Sequence, residues 1–172
     1  IQALSFAHDQ IIRGDGGGAL RELLEAELSP YRSHDGVRIR LEGPPIGLDA
    51  RAFSVMALVL HELATNAAKY GALSTNKGKL DVDWSMTEEG GCEIHWRESD
   101  GPAVMQPQSL GFGSVLINRS IPYDLGGESE IAYDVGGVTA RFLIPSKYVS
   151  HRLAREHREA AAERRQALEE RA

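Results

Sequence analysis

Cysteine is nearly absent: Cys92 stands alone among 172 residues. No internal disulfide is possible, and a reducing compartment, the cytoplasm, is the expected setting. Its place in a predicted strand suits a small buried residue. No run of eighteen or more apolar residues occurs either, so nothing here is expected to span a membrane. No signal peptide is read at the start, and a first residue of Ile predicts a piece of a longer protein. Net positive charge is also missing. Nineteen Lys and Arg against 25 Asp and Glu leave −6, which argues against a general nucleic-acid binder. What remains, 42% apolar and 26% charged, is an ordinary globular composition, enough for one domain with an appendage.

The most informative segment runs from Ser54 to Ala72. It is free of Gly and Pro up to Gly71 and rich in Leu, Met and Ala, so it reads as helix. At about 100° per residue, Val55, Val59 and Leu63 share one apolar arc. Glu62 and Asn66, one turn apart, fall in the middle of that arc, and Lys69 and Tyr70 follow one turn later. An inward carboxylate and amide cost several kcal/mol if unpaired. They belong either to a satisfied internal hydrogen-bond network or to a site facing a cavity. A carboxylate, an amide and a cation together suit a metal-bound, phosphorylated ligand.

Around this helix the pattern alternates between element types. Ala19 to Leu28 reads as a short helix closed by Pro30. Val37 to Leu41 alternates as a strand, and the long helix is expected from about Asp49 to Tyr70, stopped by Gly71. Strands follow at Leu80–Trp84 and Ile94–Trp96, joined by a turn over Glu88–Gly91. A loop from Ser99 to Leu110 precedes a helix opening at Gly111 and running to about Tyr123. Two more strands, at Ile131–Tyr133 and Val138–Ile144, flank a turn at Gly136-Gly137. Strand, helix, two strands, helix, two strands predicts an α+β fold: a two-layer sandwich of a mixed, roughly five-stranded sheet with helices on one face. The charged stretch after His151 predicts a solvated helix held by pairs such as Arg152–Glu156.

Two further places invite chemistry. Glycines at Gly111 and Gly113, just ahead of a helix, would let backbone N–H groups approach an anion; alone, such a pair is an ordinary loop. Glu98 ends a strand before Asp100-Gly101-Pro102. A carboxylate there could accept a hydrogen bond from an exocyclic amine such as adenine's, or simply face solvent, while Trp96 reads as core.

The combination is more specific than its parts. It resembles the ATP-binding fold shared by histidine kinases, gyrase-type ATPases, Hsp90 and MutL proteins. Closer still, His61-Glu-Leu-Ala-Thr-Asn-Ala-Ala-Lys-Tyr-Gly-Ala-Leu-Ser74, Trp96-Arg-Glu98 and Gly111-Phe-Gly-Ser-Val-Leu-Ile117 resemble the HWE histidine kinases, named for this His and this Trp-x-Glu. The resemblance covers roughly Leu20 to Pro145. It implies the ATP-binding catalytic domain of a bacterial two-component sensor histidine kinase, passing the ATP γ-phosphoryl group to a histidine for relay to a response regulator. The implied organisation is the tail of a dimerisation and phosphoacceptor helix with its linker over residues 1–18, the catalytic domain over 19–148, and a charged helix over 149–172.

The implied roles follow residue by residue. Asn66 would bind the Mg²⁺ bridging the phosphates, and Glu62 would orient that shell through water or assist proton removal from the attacking imidazole. Lys69 would contact phosphate and Tyr70 would pack near the nucleotide. Glu98 would read adenine, Gly101 would shape the loop under the base, and Gly111 and Gly113 would offer backbone to phosphate. Asp100 stands where relatives usually carry a small residue, so either acid could be the adenine reader. His61 falls on the side away from Glu62 and Asn66 and is read as structural, bonding across to a neighbouring element. His8 is read as a non-acceptor, because the family's His-Arg-x-x-Asn acceptor motif is lacking. Implied partners are a response regulator, the protein's own dimerisation hairpin and a sensor domain outside this chain. The competing class is a degenerate nucleotide-binding module acting by protein interaction. A clamp ATPase of the gyrase type is disfavoured, since only Ala103–Leu110 separates the Gly-Pro loop from Gly111.

Overall fold

The computed structural model describes residues 17–32, 38–104 and 112–150. The expected helix at residues 149–172, the N-terminal tail with His8, and Gly111 lie wholly or almost wholly outside them.

Five strands form one sheet in the order β2 (Ile39–Glu42), β4 (Lys79–Met86), β5 (Cys92–Ser99), β7 (Gly137–Ile144), β6 (Glu128–Asp134). Only β2 and β4 pair in parallel. That is the mixed sheet the element order predicts: the hairpins β4–β5 and β6–β7 are antiparallel, β2 and β4 across the long helix are parallel, and β5 and β7 across the later helix and β6 are antiparallel. Alternation along β5 sends Cys92, Ile94, Trp96 and Glu98 to one face, all buried. The opposite face carries ion pairs, among them Arg141 with Glu93 and Glu128 and Arg97 with Asp83. Such exposed pairs contribute little each and mark a solvated surface.

Helices α1 (Leu20–Leu28), α2 (Ala50–Lys69) and α3 (Phe112–Ser120) supply the second layer. Asp49 caps α2, its side chain accepting from the Ala52 amide at 2.9 Å, which satisfies a donor the helix leaves open. The buried stripe of α2 runs through Ala52, Phe53, Met56, Ala57, Val59, Leu60, Leu63, Ala64 and Ala67. It packs with Leu20, Leu23, Leu24 and Leu28 of α1 and with Val82, Ile94, Trp96 and Phe142 of the sheet in one core. Among the described residues no helix is long and apolar enough to cross a membrane.

Two details depart from the sequence reading. The helix expected to reach Tyr123 stops at Ser120 and widens into a π turn over Ile121–Leu125. Pro122, which cannot donate to the ladder, sits in that turn, and Gly126, at φ +67°, takes the left-handed conformation that ends it. A second sheet was not anticipated. Three two-residue strands, β1 (Gly18–Ala19), β3 (Gly47–Leu48) and β8 (Val149–Ser150), pair antiparallel in the order β1–β3–β8. Phe53 is fully buried beside this sheet; a Cβ on Gly18 would stand 2.7 Å from its ring. Phe53→Ala is therefore expected to lower stability by about 3–5 kcal/mol, seen as a reduced urea midpoint at unchanged slope.

Candidate functional site

The second half of α2 carries the site. Glu62 and Asn66 lie one turn apart, so their side chains are neighbours on the helix surface. Both are half-buried, as are Val55 and Leu58, while Lys69 at the helix end is exposed. The sequence wheel put Glu62 and Asn66 at the centre of the apolar arc. In the structure the fully buried stripe is rotated to one side of them, and they occupy its flank. The stripe faces α1 and the sheet, and beside it in the same layer α3 meets the flank of α2 at Gly113. A Cβ there would come within 2.4 Å of Glu62 Oε2. The missing side chain is what lets backbone approach this carboxylate, which the sequence showed only as a Gly ahead of a helix.

The helix unwinds at its end. The amides of Tyr70 and Gly71 both donate to Asn66 O, at 2.8 and 3.2 Å, and the Tyr70 ring is 73% exposed. Immediately after, Glu98 reaches in from the sheet. Its Oε2 accepts from the Ala72 amide at 2.9 Å and its Oε1 from the Trp96 indole at 3.0 Å. The side chain of Gly71 could be nothing larger than hydrogen, because a Cβ would stand 2.1 Å from Glu98 Oε2. Sequence reading treated Glu98 as a strand-end acid and Trp96 as core; the structure makes them one unit, buried together. Burial pushes the Glu98 carboxyl above its ordinary range, and the two donors oppose the shift without cancelling it.

Asp100 goes elsewhere. Its φ of +56° is in the left-handed region that glycine favours, and its carboxylate pairs with Lys79 Nζ at 2.9 Å, both side chains more than half exposed. Gly101 closes onto the turn after α2, where a Cβ would meet Ala72 Cα at 2.7 Å. The fold therefore brings Glu62, Asn66 and Gly113 together, and joins Glu98 and Gly101 to the end of the same helix. It turns Asp100 toward Lys79 at the start of β4 and leaves Lys69 and Tyr70 open to solvent.

On the other side of α2, His61 Nδ1 lies 3.1 Å from Glu27 Oε2 of α1. This is the bond to a neighbouring element expected of a structural histidine. Glu27 is 4% exposed, and its Oε1 is buried without a hydrogen-bond partner among the described residues. Burial raises the Glu27 carboxyl while His61 pulls it down. Glu27 escaped the sequence reading because it sits among the ordinary acids of a short amphipathic helix. Arg38 escaped it as well. In a strand that alternates Arg38, Ile39, Arg40, Leu41, the two arginines look alike, yet only Arg38 turns onto the 72–78 turn.

With the geometry in view, comparison with known proteins is informative. Residues 1–45 match the family model described as HWE histidine kinase. A blue-light-activated histidine kinase of Brucella ovis is 34% identical over 149 residues, 84% of this chain and 30% of that protein. The chain thus spans less than a third of the length of the curated relatives it matches. Among solved structures, the histidine kinase domain of a blue-light activated histidine kinase from Erythrobacter litoralis aligns with a TM-score of 0.61 at 13% identity, covering 86% of this chain and 62% of that one. A histidine kinase solved in complex with a response regulator protein gives 0.59 at 16% identity, covering 83% and 47%. At these identities the structural likeness speaks for the fold.

Two outcomes follow from the buried acids. A carboxyl raised in the folded state keeps a proton that the unfolded chain has released, so Glu98 makes stability fall as pH rises above about 4.3. The fall ends once the folded carboxyl is ionised. Melting curves across pH should show this slope in the wild type and a smaller one in Glu98→Gln; identical slopes would mean that Glu98 ionises normally. For the other acid, His61→Ala should cost about 1–3 kcal/mol by stranding Glu27, and the double change Glu27→Leu with His61→Leu should cost less than that single change. A double-mutant cycle by urea denaturation checks it.

Proposed function

Because this chain belongs to the HWE histidine kinase family, we propose that it is the ATP-binding catalytic domain of a two-component sensor kinase. It works in the cytoplasm and transfers the ATP γ-phosphoryl group to a histidine for relay to a response regulator. The observation that carries this reading is the convergence on one flank of α2: a carboxylate and an amide one turn apart, with the start of a helix brought against the carboxylate by a glycine.

The donor set fits magnesium. Among the described residues no three His, Cys, Asp or Glu side chains gather as a metal cage. A single amide oxygen with a carboxylate behind it suits an ion that keeps waters and takes its other ligands from phosphates. Asn66 would hold it and Glu62 would reach it through water. Bound with ATP, the ion supplies neutralisation of the phosphate charge.

The chain's own residues then position the reactants. Lys69, cationic and exposed at the end of α2, meets the phosphates. Gly113, in the first turn of α3, offers its backbone N–H to them where the helix field favours an anion, and Gly111, outside the described residues, would add its own. Glu62, close to that same segment, would orient water around the bound ion or accept the proton from the attacking imidazole. Tyr70 covers the nucleotide. Glu98 reads the adenine amine with the lone pairs that Ala72 and Trp96 leave free, since a carboxylate has about four acceptor positions. Gly101 forms the floor beneath the base. Asp100 is a poorer candidate for the reader, because Lys79 holds it at the surface.

Asn66→Asp tests the reading. The shape is kept, but a charge replaces the amide beside the triphosphate. Phosphotransfer in the complete protein should fall roughly a hundredfold or more, with the melting temperature near wild type. The wild-type domain should gain melting temperature with ATP and Mg²⁺ in proportion to occupancy. Phosphotransfer by the variant near the wild-type rate would remove Asn66 from the metal shell.

A further inference from the structure

The turn from Ala72 to Gly78 is held by one side chain outside the site. Arg38, half-buried at the start of β2, sends Nε to Gly78 O at 3.1 Å and Nη2 to Ala72 O at 3.4 Å, and Nη2 also donates to Thr75 O. Its own carbonyl accepts from the Leu80 amide at 2.8 Å, so the arginine is fixed to the strand that the turn leads into. A planar guanidinium can span several carbonyls in one rigid fork, which an ammonium cannot. The turn's Ala72 end is also tied to Glu98 and packed against Gly101, and Leu73 packs on the core. That leaves the stretch from Thr75 to Gly78 to Arg38 and to local bonds. Its internal bonds are short-range: Ser74 to Gly71 O, and Gly78 N to Thr75 Oγ1.

Ala72 is where this clamp meets the site. Its carbonyl accepts from Arg38, and its amide donates to Glu98 Oε2. Gly101 rests on its Cα. If the turn is released, Glu98 loses a donor that aims its carboxylate, and the floor beside it loosens. Arg38 touches neither acid nor ligand site directly.

We propose that Arg38 is a positioning residue for base recognition. By clamping the 72–78 turn it holds the Ala72 amide against Glu98 and so sets the geometry in which Glu98 distinguishes an adenine amine from a guanine carbonyl. This rests on the assignment of Glu98 as the base reader in the function proposed above.

The experiment is isothermal calorimetry of this chain with MgATP and with MgGTP. It compares wild type, Arg38→Gln, Arg38→Lys and, as a control, Arg40→Gln, whose side chain pairs with Glu42 and Asp81 on the outer sheet face. The Kd of Arg38→Gln for ATP should rise roughly tenfold, about 1.4 kcal/mol, the scale of one misplaced hydrogen bond. Its affinity for GTP should change less, so that the preference for ATP shrinks. Arg38→Lys should be intermediate, and Arg40→Gln should match wild type. Faster hydrogen exchange at the Ala72 amide in Arg38→Gln is the accompanying signature. Should Arg38→Gln fail to fold, Arg38→Lys carries the same comparison. Equal loss of ATP and GTP affinity, or an unchanged preference for ATP, would overturn the proposal while leaving the kinase reading intact. Failure of the wild type to bind either nucleotide would overturn the kinase reading itself, and this inference with it.

Discussion

The Glu98 carboxylate joins the two layers of this protein at the point where they would otherwise part. Helix α2 ends at Lys69 and the chain must turn back toward β4. At that turn a buried acid from the central strand accepts the Ala72 amide with one oxygen and the Trp96 indole with the other. A buried carboxylate with fewer partners would cost several kcal/mol. Here the partners exist only when the helix end, the turn and β5 are all in register. Gly71 and Gly101 have no side chains because this approach leaves no room for any. The position of Asn66, one turn earlier, follows from the same join.

A second buried acid, Glu27, does similar work between α1 and α2, with His61 as its partner. The two acids differ in how well they are served. Each oxygen of Glu98 has a donor, whereas Glu27 keeps one oxygen without a partner among the described residues. Burial dominates both carboxyls. His61 and Glu62 are adjacent on α2, about 100° apart around its axis, and they meet different neighbours, α1 and Gly113. The helix thus carries the buried Glu27–His61 contact beside the flank that holds Glu62, and the first helps fix the second in place.

A scaffold of this kind places its reactive groups on regular elements and leaves the ligand-facing side thinly covered. Glu62 and Asn66 are only half-buried, and Lys69 and Tyr70 are exposed. That openness suits a large, charged ligand such as a nucleoside triphosphate, which brings its own bulk and its own counter-ion. It also fits α2 carrying its apolar stripe beside Glu62 and Asn66 rather than through them.

Much of this was legible in the residues alone. Alternation fixed β4, β5 and β7, and the Gly- and Pro-free run with its Gly71 stop bounded α2 to within a residue, because both signals are local. Glu62 and Asn66 shared a face because helical spacing requires it. The tertiary structure decided what depends on distant partners. Which way the stripe of α2 turns was set by α1 and the sheet it packs on, and α3 then met Glu62 through Gly113. Which oxygen of Glu98 meets which donor was set by the pairing of β5 with the turn 26 residues earlier. Asp100 and Glu98, two acids two residues apart, were equivalent in sequence. A positive φ and Lys79 sent one to the surface, while the pleat of β5 sent the other into the core. Three two-residue strands left no periodic trace, since a pattern of period two needs more than one repeat to be seen. Arg38 and Arg40 read alike because a sequence records which face a strand residue takes but not what its far end can reach across 34 residues to hold.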